Sequence, residues 1–186
     1  TLISKLDIRR IVAESLGIPI EKVKLGPNIV NNGNFELASG YMPDNWRWQM
    51  FGEDMCGLFV GGVDEGWSEI RGATLRITGI WRKEGQSCRA GYMSSMRKES
   101  GTSSDDYYLG FFYRTWQDYN GVGSIIIRDE STRIELPKVD GAWQIRNGTF
   151  QSAKDLSLDG FLFVRSTKTG TIEFYDFVLV EIIIQE

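Results

Sequence analysis

Two patterns of apolar and polar residues divide the chain near residue 26. In the first segment the apolar residues recur at the three- and four-residue spacing of one helix face: Ile8, Ile11, Val12 and Leu16. Ser4 precedes this run with Asp7 three positions later, which resembles a capping box, and Gly17 supplies a stop signal. The pattern predicts one short amphipathic helix within residues 1–26.

Beyond Asn28 the chain changes to short runs with a period of two, separated by dipeptides such as Asp-Gly and Thr-Gly. Six runs are predicted to be strands: 73–80, 107–115, 124–128, 143–150, 161–166 and 171–184. The turn-rich stretch 165–170 predicts a hairpin that joins the last two strands. Many short strands without helices between them indicate an all-β, antiparallel sandwich or barrel.

The predicted organisation is therefore an N-terminal helical arm, residues 1–26, followed by one sandwich, residues 27–186. The arm carries five basic and three acidic residues, a net charge of +2, whereas the whole chain has -4. Two interpretations of its apolar stripe remain open. Either the stripe packs on the sandwich, or it docks on a protein partner or a sister subunit, which would make the chain a homo-oligomer.

Composition excludes several classes of protein. With 186 residues, 41% hydrophobic and 12% aromatic, the chain suits one globular domain. The net charge of -4 provides no basic field for phosphates, so no nucleic acid partner is expected. The chain has no histidine, which excludes Ser-His-Asp and Cys-His nucleophile systems and every His-ligated metal.

Targeting signals and cysteines add little. No apolar run approaches the roughly 20 residues of a membrane span, so none is expected. The first residues lack the apolar core of a signal peptide, which fits cytoplasmic synthesis, incorporation into a virion, or a mature secreted fragment. Cys56 and Cys88 either form one bridge or remain two thiols.

The run 28–36, Asn-Ile-Val-Asn-Asn-Gly-Asn-Phe-Glu, resembles the opening strand of the jelly-roll carbohydrate-binding modules attached to many xylanases and cellulases. Further matches follow in order: Pro43 with Trp46, then 72–78, 107–113, 143–150 and 171–180. The resemblance covers about residues 28–182. It implies a galactose-binding-like β-sandwich, with Trp46 and Trp143 in the core.

A structural calcium ion is one expectation that the resemblance implies. In such modules the ion often links the first strand to the last through carboxylate and backbone oxygens, which suit a hard cation. Glu36 and Asp176 occupy the matching positions. The alternative is that both carboxylates only end strands or accept hydrogen bonds.

Sugar binding is the second expectation. Sugar rings present flat C–H faces and a rim of hydroxyls, which exposed aromatic rings and planar polar groups recognise. Alternation places Arg114 and Trp116 on one face of their strand, opposite the apolar face, and Arg128 similarly on the next. If these strands share a sheet, the three residues line its open face. The alternative is that the arginines are solvated and Trp116 covers the sandwich edge.

Other tryptophans offer further candidates for a sugar platform. Trp48 and Trp81 are expected in or near loops, where each either stacks on a ligand or covers the core. Five methionines flank the same loops, and Met-rich surfaces suit protein contacts.

Catalysis is not expected. The carboxylate pairs, such as Asp64 with Glu65, are adjacent residues, and neighbours on a strand point to opposite faces. A glycosidase needs two carboxyls about 5–10 Å apart across one cleft. Two functions therefore compete. One is glycan recognition or adhesion within a larger assembly, and the other is a structural protein such as a bacteriophage capsid-decoration or tail component.

Overall fold

The computed structural model describes residues 4–51, 57–65, 73–81, 89–97, 106–116, 119, 123–127, 132–139, 141–151, 159–166 and 170–186. Helix α1 spans Lys5–Leu16, and a short 3-10 helix spans Ile20–Lys22. The strands of the described residues are β1 (Val23–Asn28), β2 (Ala38–Ser39), β3 (Met42–Pro43), β4 (Trp46–Phe51), β5 (Gly57–Glu65), β6 (Ala73–Trp81), β7 (Arg89–Arg97), β8 (Asp106–Thr115), β9 (Gly123–Ile127), β10 (Thr132–Leu136), β11 (Gln144–Gln151), β12 (Asp159–Ser166) and β13 (Gly170–Ile184).

Most of the strands form two antiparallel sheets that pack face to face, and β2 pairs with β3 as a separate two-stranded sheet. The first sheet has the order β11-β8-β13-β6-β5, and β1 pairs with the far half of β13. The second sheet has the order β10-β9-β12-β7-β4. Strands that are distant in sequence are neighbours in both sheets, as in Greek-key and jelly-roll sandwiches. The predicted all-β antiparallel sandwich is confirmed.

The core lies between the two sheets. The inward side chains predicted for β8 and β9 are buried there: Tyr107, Leu109, Phe111, Tyr113, Ile125 and Ile127. Phe177 lies near the centre, with ring centroids 4.9 Å from Phe111, 5.5 Å from Trp46 and 6.1 Å from Phe35. Such aromatic clusters bury large areas and stabilise the fold through many close contacts.

Helix α1 packs on the outer face of the first sheet. Ser4 caps it, because its Oγ accepts a hydrogen bond from the amide of Asp7. The buried helix residues Ile8 and Val12 form a second apolar cluster with sheet residues, among them Tyr108 and Val180. Of the two interpretations of the apolar stripe, the structure therefore shows packing on the sandwich.

Several local expectations differ from the structure. The predicted hairpin between β12 and β13 is wrong, because these strands belong to different sheets. The run 28–36 is a loop rather than a strand after Asn28, where β1 ends. Strand β1 also crosses the predicted boundary at residue 26 and pairs with β13 through Val23 and Leu25.

The loop that follows β1 is fastened to a bulge in β13. Asn28 donates from Nδ2 to the carbonyl of Phe177 at 3.2 Å and accepts from the amide of Leu179 at 3.0 Å. The amide of Phe177 donates to the carbonyl of Gly33 at 2.9 Å. A Cβ atom at Gly33 would collide with that same Phe177 carbonyl oxygen. Asn28 and Gly33 therefore fasten the loop to β13, and we call these contacts the backbone clamp.

Replacing Gly33 with alanine is expected to destabilise the protein by about 1–3 kcal/mol, the usual cost of forcing atoms into a packed site. Gly148→Ala in β11 is the matched control, because a Cβ there meets nothing within 4 Å. Chemical denaturation of both variants measures the difference. Equal unfolding free energies would contradict the clamp.

Candidate functional site

The outer face of the first sheet has two unlike halves. Helix α1 covers the half around Tyr108 and Val180. The other half carries polar side chains in one row, because Arg76 pairs with Glu173 and Glu173 with Arg114 across adjacent strands. We call this second half, together with Trp116 at the end of β8, the open face.

Glu173 lies at the centre of the open face and is fully buried. Its Oε1 accepts from the Nη2 atom of Arg114 at 3.0 Å and from the indole nitrogen of Trp116 at 2.6 Å. Its Oε2 accepts from the hydroxyl of Thr74 at 2.9 Å, and Arg76 lies 3.7 Å from Oε1. A buried carboxylate is stable only when paired and hydrogen-bonded in this way.

This arrangement fixes the ring of Trp116 while leaving it accessible. The indole N–H is held by Glu173, and the guanidinium carbon of Arg76 lies 5.0 Å from the ring centroid. The side chain nevertheless remains 41% exposed. A ring held in one orientation loses little entropy when a ligand stacks on it. Trp116 is therefore a preorganised platform.

A cavity of about 500 Å³ lies on the same side of the sheet, at β5 and β6. It is lined by Tyr41, Val60, Gly61, Gly62, Val63, Arg76 and Thr78. Tyr41 reaches it from the turn between β2 and β3 and is 79% exposed. Arg76 connects the two features, because it lines the cavity and its guanidinium lies over the ring of Trp116. Apolar surface with a few convergent polar groups is typical of ligand sites.

The structure separates the predicted ligand-binding residues. Arg114 and Trp116 both contact Glu173, but Arg114 is only 5% exposed and its guanidinium lies over the ring of Trp143, 4.7 Å from the centroid. Arg114 therefore lies beneath the open face, where it supports Glu173, and its predicted ligand contact stays a prediction. The condition for grouping Arg128 with Arg114 and Trp116 was that β8 and β9 share a sheet, and this is wrong because β9 belongs to the second sheet. Arg128 itself lies outside the described residues.

Of the two remaining tryptophans, the structure describes the side chain of Trp48 only. Trp48 lies within β4 and not in a loop, and its ring packs toward the core, 5.0 Å from that of Tyr92. Trp48 is half-buried and covers the core, one of the two alternatives expected for it. Trp81 ends β6, and its side chain lies outside the described residues, as do Cys56 and Cys88.

Sequence reasoning missed three residues of the open face, namely Glu173, Arg76 and Tyr41. A signal existed for Glu173, since an isolated charged residue between the apolar residues of β13 predicts a buried, paired carboxylate. Arg76 carries the same signal within β6. No feature of the sequence pointed to Tyr41, because its position depends on how the β2–β3 turn folds against β5.

The two expected calcium ligands lie in different environments. Asp176 is fully buried in the bulge of β13, with a φ of 58°, whereas Glu36 is exposed. Burial raises the pKa of the Tyr175 phenol, and the negative charges of Asp176 and Glu36 raise it further. Among the described residues no group of three or more His, Cys, Asp or Glu side chains suits a metal. A buried carboxylate oxygen fits calcium, but backbone oxygens would have to supply most of the coordination.

Solved structures share this architecture. A domain of tailspike protein 4 of bacteriophage CBA120, described as enzymatically active, superposes with a TM-score of 0.57 at 14% identity, covering 84% of this chain and 21% of the tailspike chain. A cyclase from Fischerella sp. TAU gives 0.56 at 11% identity, covering 88% and 100%. A family 16 carbohydrate-binding module gives 0.54 at 15% identity, covering 83% and 100%.

The predicted fold resemblance is confirmed. Carbohydrate-binding modules of families 4 and 11 match as well, so most of these neighbours are such modules. At these identities the likeness concerns the fold, and the chain spans about a fifth of the tailspike protein, 21%. The sequence matches no family model and no curated protein. In the described part of the chain, no helix has the length and apolarity needed to cross a membrane.

Proposed function

We propose that this protein is a non-catalytic glycan-binding module whose site is the open face. The observation that carries the proposal is the ring of Trp116, held by Glu173 and Arg76 but still exposed beside a cavity. The carbohydrate-binding modules among the structural neighbours support it through their shared fold.

The open face suits a pyranose ring. The flat C–H face of the sugar stacks on the indole, and its hydroxyls meet polar groups at the edge of the ring. Arg76, Thr78 and Tyr41 supply donors and acceptors around the cavity. Glu173 is fully buried and already accepts several hydrogen bonds, so its role in this site is to hold the platform.

Isothermal titration against a panel of oligosaccharides tests the proposal. The panel comprises cellohexaose, xylohexaose, mannohexaose, a β-1,4-galactan oligomer and a mixed-linked β-glucan oligomer. At least one is expected to bind and to change tryptophan fluorescence, because the ligand covers an exposed indole. Absence of binding across the panel and across a wider glycan array would contradict a glycan function.

A second function is favoured by the tailspike likeness, which has the highest TM-score of the three comparisons given above. We propose that the module serves adhesion as part of a larger assembly, as a domain of a bacteriophage tail or capsid component. Binding to whole bacterial cells, competed by their extracted surface polysaccharide, is the expected result. Cell binding that no glycan competes would favour a purely structural component.

We also propose that calcium stabilises the bulge of β13 through Asp176. If the ion is present at about 100 times its Kd, it contributes roughly 2.7 kcal/mol to folding. EDTA is then expected to lower the thermal midpoint, and added calcium to restore it. The conservative variant Asp176→Asn should remove this difference. An unchanged midpoint of the parent protein with and without chelator, at matched ionic strength, would contradict the calcium site.

A further inference from the structure

Strand β11 forms one edge of the first sheet and is exposed along its length. It pairs with β8 over eight consecutive residues without a register shift. No other strand of the described chain pairs with it. Every residue of β11 is exposed except Phe150, which is half-buried. The outer edge therefore presents a regular row of backbone amides and carbonyls, which is a template for another strand.

Two of the other sheet edges, β5 and β10, carry features that protect them from pairing. At β5 the amide of Val63 donates a hydrogen bond to the carbonyl of Tyr41, at 2.8 Å. Strand β10 is only five residues long, carries Arg133 and Glu135, and is followed by Pro137. Strand β11 has no proline, no lysine and no bulge, and Arg146 is its single charge. Proteins avoid edge pairing with prolines, lysines, bulges and short charged strands, and β11 lacks these features apart from Arg146.

We propose that β11 pairs with β11 of a second copy of this chain, antiparallel, about a twofold axis at Asn147. The axis is perpendicular to the sheet, so each outer face continues into the outer face of the other copy. The two first sheets then form one continuous sheet across the dimer.

The side chains of β11 are complementary to themselves in this register. Ile145 lies opposite Thr149 of the second copy, a pairing of β-branched residues that stabilises sheets. Arg146 lies opposite Gly148, where nothing occupies the space within 4 Å of a Cβ position. Asn147 faces its own copy, and two amides can donate to and accept from each other. No like charges meet.

An axis at Gly148 is less favourable. It would place Ile145, which is 46% exposed, opposite the polar Gln151 and would set Arg146 against Phe150. Pairing through β11 also keeps the open face accessible, because the cavity is at β5 and β6, toward the opposite edge of the sheet. The dimer would carry two such faces on one side and would bind a multivalent surface with avidity.

Light scattering on the full chain, across a concentration series, measures this association. The parent protein is expected to show twice the chain mass. N147K should give the monomer mass at the same concentration, because the two introduced charges face each other. Q151K, at the end of the strand and away from the axis, should remain dimeric. Thermal midpoints of the variants show whether the fold is kept.

Cysteine cross-linking tests the register independently of stability. Cβ atoms of directly opposite residues lie about 4.5–5.5 Å apart, close enough for a disulfide after a small shift. N147C should form a covalent dimer on oxidation, whereas T149C, which faces Ile145, should not. The parent protein controls for Cys56 and Cys88. A monomeric parent, a dimer that survives N147K, or cross-linking of T149C in place of N147C would each overturn the proposal.

Discussion

Replacing Glu173 with alanine is expected to lower the free energy of unfolding by about 3–5 kcal/mol, the range for breaking a buried ion pair. The carboxylate is fully buried, and Arg114, which it pairs at 3.0 Å, is 6% exposed at its side chain. Without Glu173 that guanidinium keeps its charge but loses its hydrogen-bond acceptor. Urea denaturation followed by circular dichroism measures the change.

Glu135→Ala is the matched control for this prediction. Glu135 pairs with Arg133 at 2.8 Å, but the two side chains are 55% and 48% exposed. Exposed pairs contribute at most about 1 kcal/mol because water screens them. If both variants lose the same small free energy, Glu173 does not organise the open face and the account of its network is wrong.

Trp116→Ala is expected to weaken glycan binding by about 1–3 kcal/mol, roughly 5- to 150-fold in Kd, as for removal of an aromatic stacking platform. The thermal midpoint should fall much less than in Glu173→Ala, because the Trp116 side chain is 41% exposed. Trp116→Phe keeps a ring but loses the hydrogen bond to Glu173, so its affinity should be intermediate. Titration calorimetry measures all three proteins.

Arg47→Ala supplies the control for the Trp116 series. Arg47 is exposed in β4 of the second sheet, away from the open face, so its removal should leave the affinity unchanged. If Arg47→Ala weakens binding and Trp116→Ala does not, the ligand binds to the second sheet.

Alternation located six strands, namely β6, β8, β9, β11, β12 and β13, each within two residues of its observed bounds. β8 was the clearest case, because its inward residues are all large and apolar. β7 was missed because Ala90 and Ser94, both fully buried, occupy inward positions and hide the alternation. β5 was missed because Gly61 occupies an inward position, where the rings of Trp48 and Tyr92 leave no room for a side chain.

The candidate site was predictable only in part. Sequence alone indicated Trp116, because an aromatic residue followed the outward side of β8. It could not pair Arg114 with Glu173 or Arg76, since these residues come from strands 38 to 97 positions apart that only the sheet order brings together. The same ignorance of sheet order placed Arg128 beside Trp116. Turn residues predict where a strand ends, but not which sheet receives the next one.

Nuclear magnetic resonance of the protein titrated with its best-binding oligosaccharide tests the central claim most directly. The indole N–H signal of Trp116 and the amides of Tyr41, Arg76 and Thr78 are expected to shift together as the ligand saturates. Amides of the second sheet, such as Met93 in β7, should remain in place. Shifts confined to the second sheet, with the Trp116 indole unchanged, would contradict binding at the open face.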